Sequence, residues 1–324
     1  MPTVLLSAPY LVDSLDRFRQ IFEHYQVDLL LPPKVLERME EADLLHYAGQ
    51  FDGIICGDDK FTANVLEHCV PRLKVIAKWG TGIDSIDQQA ARRLGVKVCN
   101  TPNAFTLPVA DTVMAYMLAF ARRQPWMDQA MKAGTWKKIN GRSLSECTLG
   151  VVGIGNIGKA IFRRARGFGM KLLGNDIIPI PRDFLLENGV QMVPLKELLA
   201  QADFVSLNTD LNPSSYRLIN GQTLAWMKPS AVLINTSRGP VVEEQALIDA
   251  LSRGQIAGAA LDVYEDEPLP ADSPLKKMDN VMLAPHNANS SPAAYEHVHW
   301  NTIRNMLEGL SIACADLDTL RGQN

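Results

Sequence analysis

Paired cysteines are missing from this sequence of 324 residues. Its five cysteines are widely spaced, and none of them belongs to a Cys-x-x-Cys pair; they are Cys56, Cys69, Cys99, Cys147 and Cys314. Such spacing supports neither a zinc ribbon nor a thioredoxin-type redox motif, so no metal site is expected. The pattern predicts scattered free thiols in a reducing compartment.

Long apolar runs and a strong charge of one sign are absent as well. No apolar run reaches the ~18 residues of a membrane span, and the N-terminus has neither a basic leader nor a long apolar core, so no signal peptide is expected. Lys and Arg number 32 against 36 Asp and Glu, a formal net charge of −4. This balance disfavours general nucleic-acid binding, which usually needs a basic face. A cytoplasmic protein of about two domains is expected.

Short apolar runs alternate with helical stretches along most of the chain. This alternation predicts an α/β fold with parallel sheets, since buried parallel strands read as continuous apolar runs. A long helix is predicted over Val109–Arg123, and an amphipathic helix over Asn301–Leu310 near the end. The predicted strands include Thr3–Ala8, Gly53–Cys56, Leu73–Ala77, Val96–Cys99, Thr148–Val152, Lys171–Asp176, Phe204–Leu207, Val232–Asn235, Ile256–Leu261 and Val281–Leu283.

A glycine-rich turn stands between a predicted strand and a predicted helix. It reads Gly153-Ile154-Gly155-Asn156-Ile157-Gly158 and fits the pattern G-x-G-x-x-G. In that pattern the first glycine permits a tight turn, the second lets a pyrophosphate approach the backbone, and the third lets helix and strand pack closely. The N-terminus of the following helix would present free N–H groups to the phosphates.

Asp176 ends the next predicted strand, in the position of the acid that follows this fingerprint by about 20 residues. A carboxylate there is expected to accept hydrogen bonds from the adenosine ribose hydroxyls. Because it would also repel a 2′-phosphate, the sequence predicts NAD rather than NADP. The alternative is a glycine-rich turn in an α/β domain that binds no nucleotide, with Asp176 merely solvated.

Four charged or titratable residues follow later predicted strands or the loops beyond them. They are Arg238, Asp262, Glu267 and His286. Ligands of open α/β sheets bind at the carboxyl edge of the strands, which makes these residues candidates for chemistry. Each also has a simpler interpretation as a surface, ion-pair or loop residue, and the sequence alone does not show that they converge.

Several motifs in order resemble the NAD-dependent D-2-hydroxyacid dehydrogenase family. The resemblance covers roughly residues 50 to 310. Within the family the sequence is most similar to the 3-phosphoglycerate dehydrogenase branch, in a short form without a regulatory domain. The motifs are Gly80-Thr81-Gly82-Ile83-Asp84, Asn100-Thr101-Pro102-Asn103, Asn235-Thr236-Ser237-Arg238-Gly239-Pro240, Gly258-Ala259-Ala260-Leu261-Asp262-Val263-Tyr264, Glu267-Pro268 and Pro285-His286.

The resemblance implies three catalytic residues. Arg238 would clamp the carboxylate and carbonyl oxygen of a 2-oxo acid, since a planar guanidinium suits such oxygens. His286 would be the general acid in reduction and the general base in oxidation. Glu267 would hydrogen-bond the other ring nitrogen of His286, which fixes the tautomer and favours the imidazolium.

Binding residues are implied in the same way. Asp262 would hold the nicotinamide, and Thr236 and Ser237 would add to cofactor binding beside the glycine fingerprint. The N–H groups around Thr81 and Gly82 would bind the substrate carboxylate as a nest-like anion site. Lys78 could add a positive charge there.

The implied architecture is two Rossmann-like or flavodoxin-like doubly wound domains. A discontinuous substrate domain would take residues 1–101 and 290–324, and an NAD-binding domain residues 102–289. The active site would lie in the cleft between them. The long helix and the arm to about Arg142 would form a homodimer interface, although burial within one subunit is the alternative for their apolar residues.

The expected reaction is hydride transfer between NAD(H) and C2 of a D-2-hydroxy acid or 2-oxo acid, with 3-phosphoglycerate a candidate substrate. Glyoxylate or hydroxypyruvate reduction is one alternative, and a non-catalytic NAD-sensing scaffold is another. An oxidase of formate or phosphite is a narrower third. Two departures from the family pattern, Trp79 and the segment Asn287-Ala288-Asn289, could reshape the substrate pocket.

Overall fold

The computed structural model describes residues 1–322, and the chain divides into two compact units. The first contains Met1–Ala104 and the chain from Ser291 onward, and the second contains Phe105–Ser290. The assignment of substrate and cofactor functions to these units stays a prediction. Gln323 and Asn324, which end the predicted substrate domain, lie outside the described residues.

Strands and helices alternate through both units. The strands are β1 (Thr3–Leu6), β2 (Asp28–Leu30), β3 (Gly53–Cys56), β4 (Val75–Lys78), β5 (Lys97–Cys99), β6 (Thr148–Val152), β7 (Lys171–Asn175), β8 (Val190–Met192), β9 (Phe204–Leu207), β10 (Val232–Asn235), β11 (Gly258–Leu261) and β12 (Val281–Leu283). The helices are α1 (Pro9–Asp13), α2 (Leu15–His24), α3 (Glu41–His46), α4 (Ala63–Cys69), α5 (Gln88–Arg93), α6 (Thr106–Arg122), α7 (Gln124–Lys132), α8 (Asn156–Gly167), α9 (Arg182–Asn188), α10 (Leu195–Gln201), α11 (Gly221–Leu224), α12 (Glu244–Ser252), α13 (Pro292–Gly309) and α14 (Leu317–Arg321).

The first unit is built on a five-stranded parallel sheet with the order β2-β1-β3-β4-β5. This is the flavodoxin-like order, in which the chain winds to both sides of its first strand. Strands β3 and β4 are buried along their whole length, as expected for parallel strands covered on both faces. The long helix α13 packs against β3 and β4.

The second unit is built on a seven-stranded parallel sheet with the order β12-β11-β10-β9-β6-β7-β8. Its first six strands in chain order follow the Rossmann order, and β12 extends one edge. One face is covered by α6 and α8 with Met117 and Ile161 in the core, and the other by α10 and α12 with Leu198 and Leu247. The winding direction reverses between β6 and β9, which makes their carboxyl ends the place where ligands of this fold bind.

The predicted class, α/β with two doubly wound parallel sheets, is confirmed. Strands β6, β9, β10 and β12 have the predicted bounds. The edge strands β2 and β8 were not predicted, because three residues are too short to show a periodic pattern. Helix α13 begins nine residues before the predicted Asn301, at a Ser291 cap whose Oγ accepts from the Ala294 N–H at 3.4 Å.

Residues 1–322 contain neither a membrane-spanning helix nor a metal-binding cluster. None of their helices combines the length and the apolarity that crossing a bilayer requires. No group of three or more His, Cys, Asp or Glu side chains in the same range is arranged to hold a metal ion.

Candidate functional site

The carboxyl edge of the seven-stranded sheet collects most of the candidate residues. Each of them directly follows a strand or lies in the loop beyond it, so parallel pairing brings them to one edge. They are the glycine turn after β6, Asp176 after β7, Asn208 and Thr209 after β9, Thr236, Ser237 and Arg238 after β10, Asp262 after β11 and His286 beyond β12.

The glycine turn has the close approaches that its sequence predicts. Gly153 has φ +88°, and a Cβ there would lie 2.6 Å from the carbonyl oxygen of Asn208. A Cβ on Gly158 would lie 2.3 Å from the carbonyl oxygen of Gly153. A Cβ on Gly155 would meet nothing within 4 Å, so this side of the turn is open to a ligand. Helix α8 begins at Asn156, which directs its first N–H groups toward the same space.

Asp176 reaches back to the glycine turn. Its Oδ2 accepts from the Ile154 N–H at 2.5 Å, and its Oδ1 accepts from the Ile178 N–H at 2.8 Å. A carboxylate has about four acceptor positions, so two donors leave capacity for ligand hydroxyls. The next two side chains, Ile177 and Ile178, are largely exposed and offer apolar surface beside the acid.

Three buried oxygens at this edge have no hydrogen-bond partner within residues 1–322. They are Asn208 Oδ1, Thr209 Oγ1 and Thr236 Oγ1. A buried polar atom without a partner is costly, so three together at a switch point indicate a polar ligand. A dinucleotide fits this edge chemically, because it carries amide and hydroxyl groups of the kind these oxygens bind and phosphates of the kind a glycine turn binds. Sequence reasoning named Thr236 but missed Asn208 and Thr209, whose signal is their position directly after β9.

The loop after β10 is held by hydrogen bonds among its own residues. Asn235 Oδ1 accepts from both the N–H and the hydroxyl of Ser237, at 3.1 and 2.7 Å, and its Nδ2 donates to the Arg238 carbonyl at 2.9 Å. Gly239 lies against the next loop, since a Cβ there would be 1.8 Å from the Tyr264 carbonyl oxygen. The predicted residue Ser237 therefore has a structural role in holding Arg238 at the end of its strand.

His286 and Glu267 are brought together, although 19 residues separate them. His286 Nδ1 lies 2.9 Å from Glu267 Oε2, and about three-tenths of each side chain is exposed. The other carboxylate oxygen, Oε1, accepts from the Tyr264 N–H at 3.0 Å. Glu267 is thus fixed by the backbone and in turn fixes one nitrogen of the ring.

Asp262 holds the turn that carries His286. The carboxylate is buried, its Oδ1 accepts from the Asn287 N–H at 2.8 Å, and its Oδ2 accepts from the Ala288 N–H at 2.9 Å. Burial raises the pKa of the Asp262 carboxyl, while these two N–H donors and the nearby His286 act in the opposite direction. The predicted contact with nicotinamide stays a prediction.

The remaining predicted residues, Lys78, Thr81 and Gly82, belong to the first unit. Lys78 is buried at the end of β4, and its Nζ forms an ion pair with Asp58 at 3.0 Å. The positive charge predicted for substrate binding is therefore already paired with a carboxylate.

The segment that follows Lys78 has its carbonyl groups occupied. Three consecutive carbonyls accept hydrogen bonds: Trp79 O from Lys78 Nζ at 3.3 Å, Gly80 O from Thr101 N at 2.8 Å and Thr81 O from Asn100 Nδ2 at 2.5 Å. The Thr81 hydroxyl donates to the Thr101 carbonyl at 2.9 Å. No described residue accepts from the N–H groups of Gly80, Thr81 and Gly82. Their predicted role in binding the substrate carboxylate stays a prediction.

Comparison with known proteins gives consistent matches. Residues 114–288 match the family model described as D-isomer specific 2-hydroxyacid dehydrogenase, NAD binding domain. The chain is 42% identical over 284 residues to a glyoxylate reductase of Korarchaeum cryptofilum, covering 84% of this chain and 82% of that protein. It is 36% identical over 297 residues to a D-3-phosphoglycerate dehydrogenase of Methanocaldococcus jannaschii, covering 91% of this chain but 55% of that protein. The crystal structure of a D-lactate dehydrogenase from Aquifex aeolicus complexed with NAD and lactic acid matches with a TM-score of 0.85 at 26% identity, covering 99% and 98% of the two chains.

Proposed function

This chain belongs to the D-isomer specific 2-hydroxyacid dehydrogenase family, and from that premise we propose that Arg238, Glu267 and His286 are the residues with which it interconverts a 2-oxo acid and the D-2-hydroxy acid. The observation that carries the proposal is the 2.9 Å contact between His286 Nδ1 and Glu267 Oε2 at the ligand-binding edge of the sheet. A His oriented by a carboxylate can act as a general acid or base, and proton transfer must accompany hydride transfer to a carbonyl carbon.

The nicotinamide cofactor has a matching set of residues in the second unit. Gly155 and the N-terminus of α8 would take the pyrophosphate, with Asn156 and Ile157 as the first residues of that helix. Asp176 would accept from the ribose hydroxyls, and its negative charge favours NAD over a cofactor with a 2′-phosphate. Thr236 would offer one of the unpartnered oxygens. When bound, the nicotinamide supplies the hydride in reduction and accepts it in oxidation.

The proton moves through His286. With Nδ1 facing Glu267, the ring holds the transferable proton on Nε2 and gives it to the C2 oxygen of a 2-oxo acid during reduction. In oxidation Nε2 takes the proton from the C2 hydroxyl. The Glu267 carboxylate stabilises the imidazolium form and keeps the ring plane fixed, because Tyr264 N–H fixes the carboxylate in turn.

Arg238 is proposed to bind the carbonyl and carboxylate oxygens of the substrate. Its guanidinium Nη1 donates to its neighbour's carbonyl, Ser237 O, at 2.8 Å, and it carries further donors in a planar fork. A planar fork of N–H donors matches two oxygens of a 2-oxo acid and polarises the carbonyl.

In the first unit, the N–H groups of Thr81 and Gly82 are proposed to bind the substrate carboxylate. The carbonyls of Trp79, Gly80 and Thr81 already accept hydrogen bonds, whereas the Thr81 and Gly82 N–H groups have no acceptor within residues 1–322. Lys78 would contribute through its hold on the Trp79 carbonyl rather than as an unpaired cation, because Asp58 already pairs with its ammonium group.

The relatives' names suggest two substrate classes, glyoxylate and a 3-phosphorylated three-carbon acid. We favour unphosphorylated 2-oxo acids such as glyoxylate and hydroxypyruvate over 3-phosphohydroxypyruvate. Of three cations that could meet a phosphate, Lys78, Arg122 and Arg123, Lys78 pairs with Asp58 and the Arg123 guanidinium lies 5.4 Å over the Trp126 ring.

A homodimer is part of the proposal, through α7 and the arm after it rather than through the predicted long helix, whose Met114 and Met117 are buried in the core of the second unit. Helix α7 has no buried residue, Met131 on it is 51% exposed, and Trp136 beyond it is 85% exposed. Exposed large apolar side chains concentrated on one segment indicate a surface that another molecule covers. A second copy of this chain would bury them in a two-fold contact.

A cytoplasmic location is also proposed. All five cysteines are unpaired thiols, and Cys99 among them is partly exposed. Unpaired thiols persist in compartments kept reducing.

A substrate panel tests the proposed reaction. Purified protein is mixed with NADH and, separately, glyoxylate, hydroxypyruvate, pyruvate and 3-phosphohydroxypyruvate, and absorbance at 340 nm is followed, with the reverse reaction run from NAD and the D-hydroxy acids. We expect turnover with an unphosphorylated oxo acid, and a His286→Asn variant that binds NADH normally but is about 10²–10⁴-fold slower. Tight NADH binding with no turnover of any acid would instead identify a dinucleotide sensor and overturn the proposal.

A further inference from the structure

We propose that the buried pair Trp79 and His299 positions the N–H groups of Thr81 and Gly82 that bind the substrate carboxylate. The inference rests on the proposed function, because it takes that segment as the carboxylate site. Neither residue is expected to touch the reacting atoms, so both are positioning residues.

The indole of Trp79 is an anchor immediately before the donor segment. The side chain is buried, and its Nε1 donates to Nδ1 of His299 at 3.0 Å. The two residues are 220 positions apart, and His299 lies on α13, which packs against β4. The hydrogen bond therefore ties the residue at the start of the loop to the helix that supports the sheet.

The hydrogen bond fixes the state of both partners. An indole N–H only donates, so His299 Nδ1 must accept and the ring proton must be on Nε2. Burial lowers the pKa of His299 to about 4, which keeps the ring in this neutral form at ordinary pH. A neutral, buried acceptor is one that a buried indole can use without competition from water.

Aromatic contacts hold the indole from other sides. Tyr10 stacks on Trp79 with ring centroids 4.9 Å apart and an interplanar angle of 27°, and Tyr295 meets it edge-on at 5.1 Å and 75°. Phe18 packs against the His299 ring at 5.4 Å. These contacts leave the indole little freedom to rotate, so Gly80 begins from a fixed point.

A fixed starting point matters because the segment contains two glycines. Gly80 and Gly82 flank Thr81, and glycine loses more conformational freedom on ordering than any other residue. A segment ordered in advance by folding does not have to be ordered by the substrate, which raises affinity. A carboxylate bound equally in the ground and transition states affects KM rather than kcat.

The test compares variants that delete one end of the hydrogen bond. Trp79→Phe removes the donor, His299→Leu removes the acceptor, and His299→Asn keeps an acceptor oxygen near the position of Nδ1. We expect the first two to raise KM for the preferred 2-oxo acid about tenfold while kcat and the Kd for NADH change little. The KM of His299→Asn should lie close to the wild-type value. The Kd of the unreactive oxo-acid analogue oxamate, measured on NADH-saturated protein, should change in parallel with KM in every variant.

Trp300→Phe is the matched control. Trp300 is also buried and lies on α13, where its Nε1 donates to Glu296 Oε1 at 2.7 Å rather than to a group beside the donor segment. Loss of this hydrogen bond should therefore leave KM unchanged. Circular dichroism and thermal melts establish that each variant is folded.

The contrary outcomes distinguish failure of this inference from failure of the proposed function. Three results would overturn this inference while leaving the wild-type reaction in place. They are an unchanged KM in folded Trp79→Phe and His299→Leu, a KM of His299→Asn as high as that of His299→Leu, and an equal rise in KM with Trp300→Phe. A wild-type protein that neither reduces any 2-oxo acid nor binds oxamate overturns the proposed function and this inference with it.

Discussion

The backbone N–H of His286 donates to the backbone carbonyl of Asp262 at 2.8 Å, in a turn where His286 has φ +50°. A left-handed backbone is unfavourable for a residue with a Cβ, so neighbouring contacts must hold it. The Asp262 carboxylate supplies them by accepting the N–H groups of Asn287 and Ala288. The acid that the sequence suggests for cofactor contact is thus also a clamp on the proposed proton-transfer residue.

Asp262→Asn should therefore lower turnover. An asparagine keeps one acceptor oxygen but turns an NH₂ group toward one of the two backbone N–H groups, which loosens the turn. We expect kcat to fall at least about tenfold and stability to fall by about 1–3 kcal/mol, from steady-state kinetics and urea unfolding. Asp59→Asn is the control, because buried Asp59 accepts from the Met39 N–H at 2.6 Å in the first unit. It should lower stability alone, and an equal loss of kcat in both variants would contradict a specific role for Asp262.

Asp176→Asn should weaken the preference for NADH over NADPH. The variant keeps an oxygen for the Ile154 N–H, which Asp176 accepts at 2.5 Å, and loses the charge that repels a 2′-phosphate. We expect KM for NADPH to fall and KM for NADH to rise, each measured with the same oxo acid. Asp176→Ala, which also removes the acceptor, should raise KM for both cofactors. An unchanged ratio of the two KM values in Asp176→Asn would contradict the assignment of this acid to the ribose.

His299 should make folding stability depend on pH. Burial lowers its pKa from 6.5 to about 4 in the folded protein, so between these values the unfolded chain binds a proton that the folded chain does not. Stability then falls as pH falls through this window. Between pH 7.5 and 5, the wild type should lose roughly 2 kcal/mol more than His299→Asn, which does not titrate. Equal pH dependence in urea unfolding of the two proteins would contradict this.

A charge on the exposed apolar arm should separate the proposed dimer. Trp136 is 85% exposed and Met131 is 51% exposed, so replacing both by Glu should place charge inside the contact and leave a monomer. Sedimentation velocity gives the mass directly. Leu186→Glu changes an apolar residue on α9 whose exposure, 69%, lies between those of Met131 and Trp136, and it should leave the dimer intact. A wild-type monomer, or a dimer that survives the double change, would contradict the interface.

The parts of the fold that depend on short stretches of sequence were predictable. The glycine turn, the strand before it and the acid after it lie within about 30 residues, the scale of a single βαβ unit. Apolar runs located the buried strands because burial on both faces leaves a continuous pattern. The edge strands β2 and β8 carry no such pattern, being three residues long.

Contacts between distant residues were not predictable in this way. His286 and Glu267 were named through family resemblance, while the spacing of 19 residues says nothing about a 2.9 Å contact. The Trp79–His299 hydrogen bond joins chain segments that meet only after the first unit folds. Asn208 and Thr209 were missed because their significance depends on β9 pairing beside β6, which is a property of sheet order.

Deuterium transfer is a direct test of hydride transfer to C2 with His286 as the proton donor. NADH carrying deuterium at the transferred C4 position is reacted with the preferred 2-oxo acid, and the product is analysed by mass spectrometry and chiral chromatography. We expect one deuterium at C2 of the D-hydroxy acid, with His286→Asn reducing the rate by about 10²–10⁴-fold while NADH still binds. A product of L configuration, a product without deuterium at C2, or normal turnover by His286→Asn would contradict it.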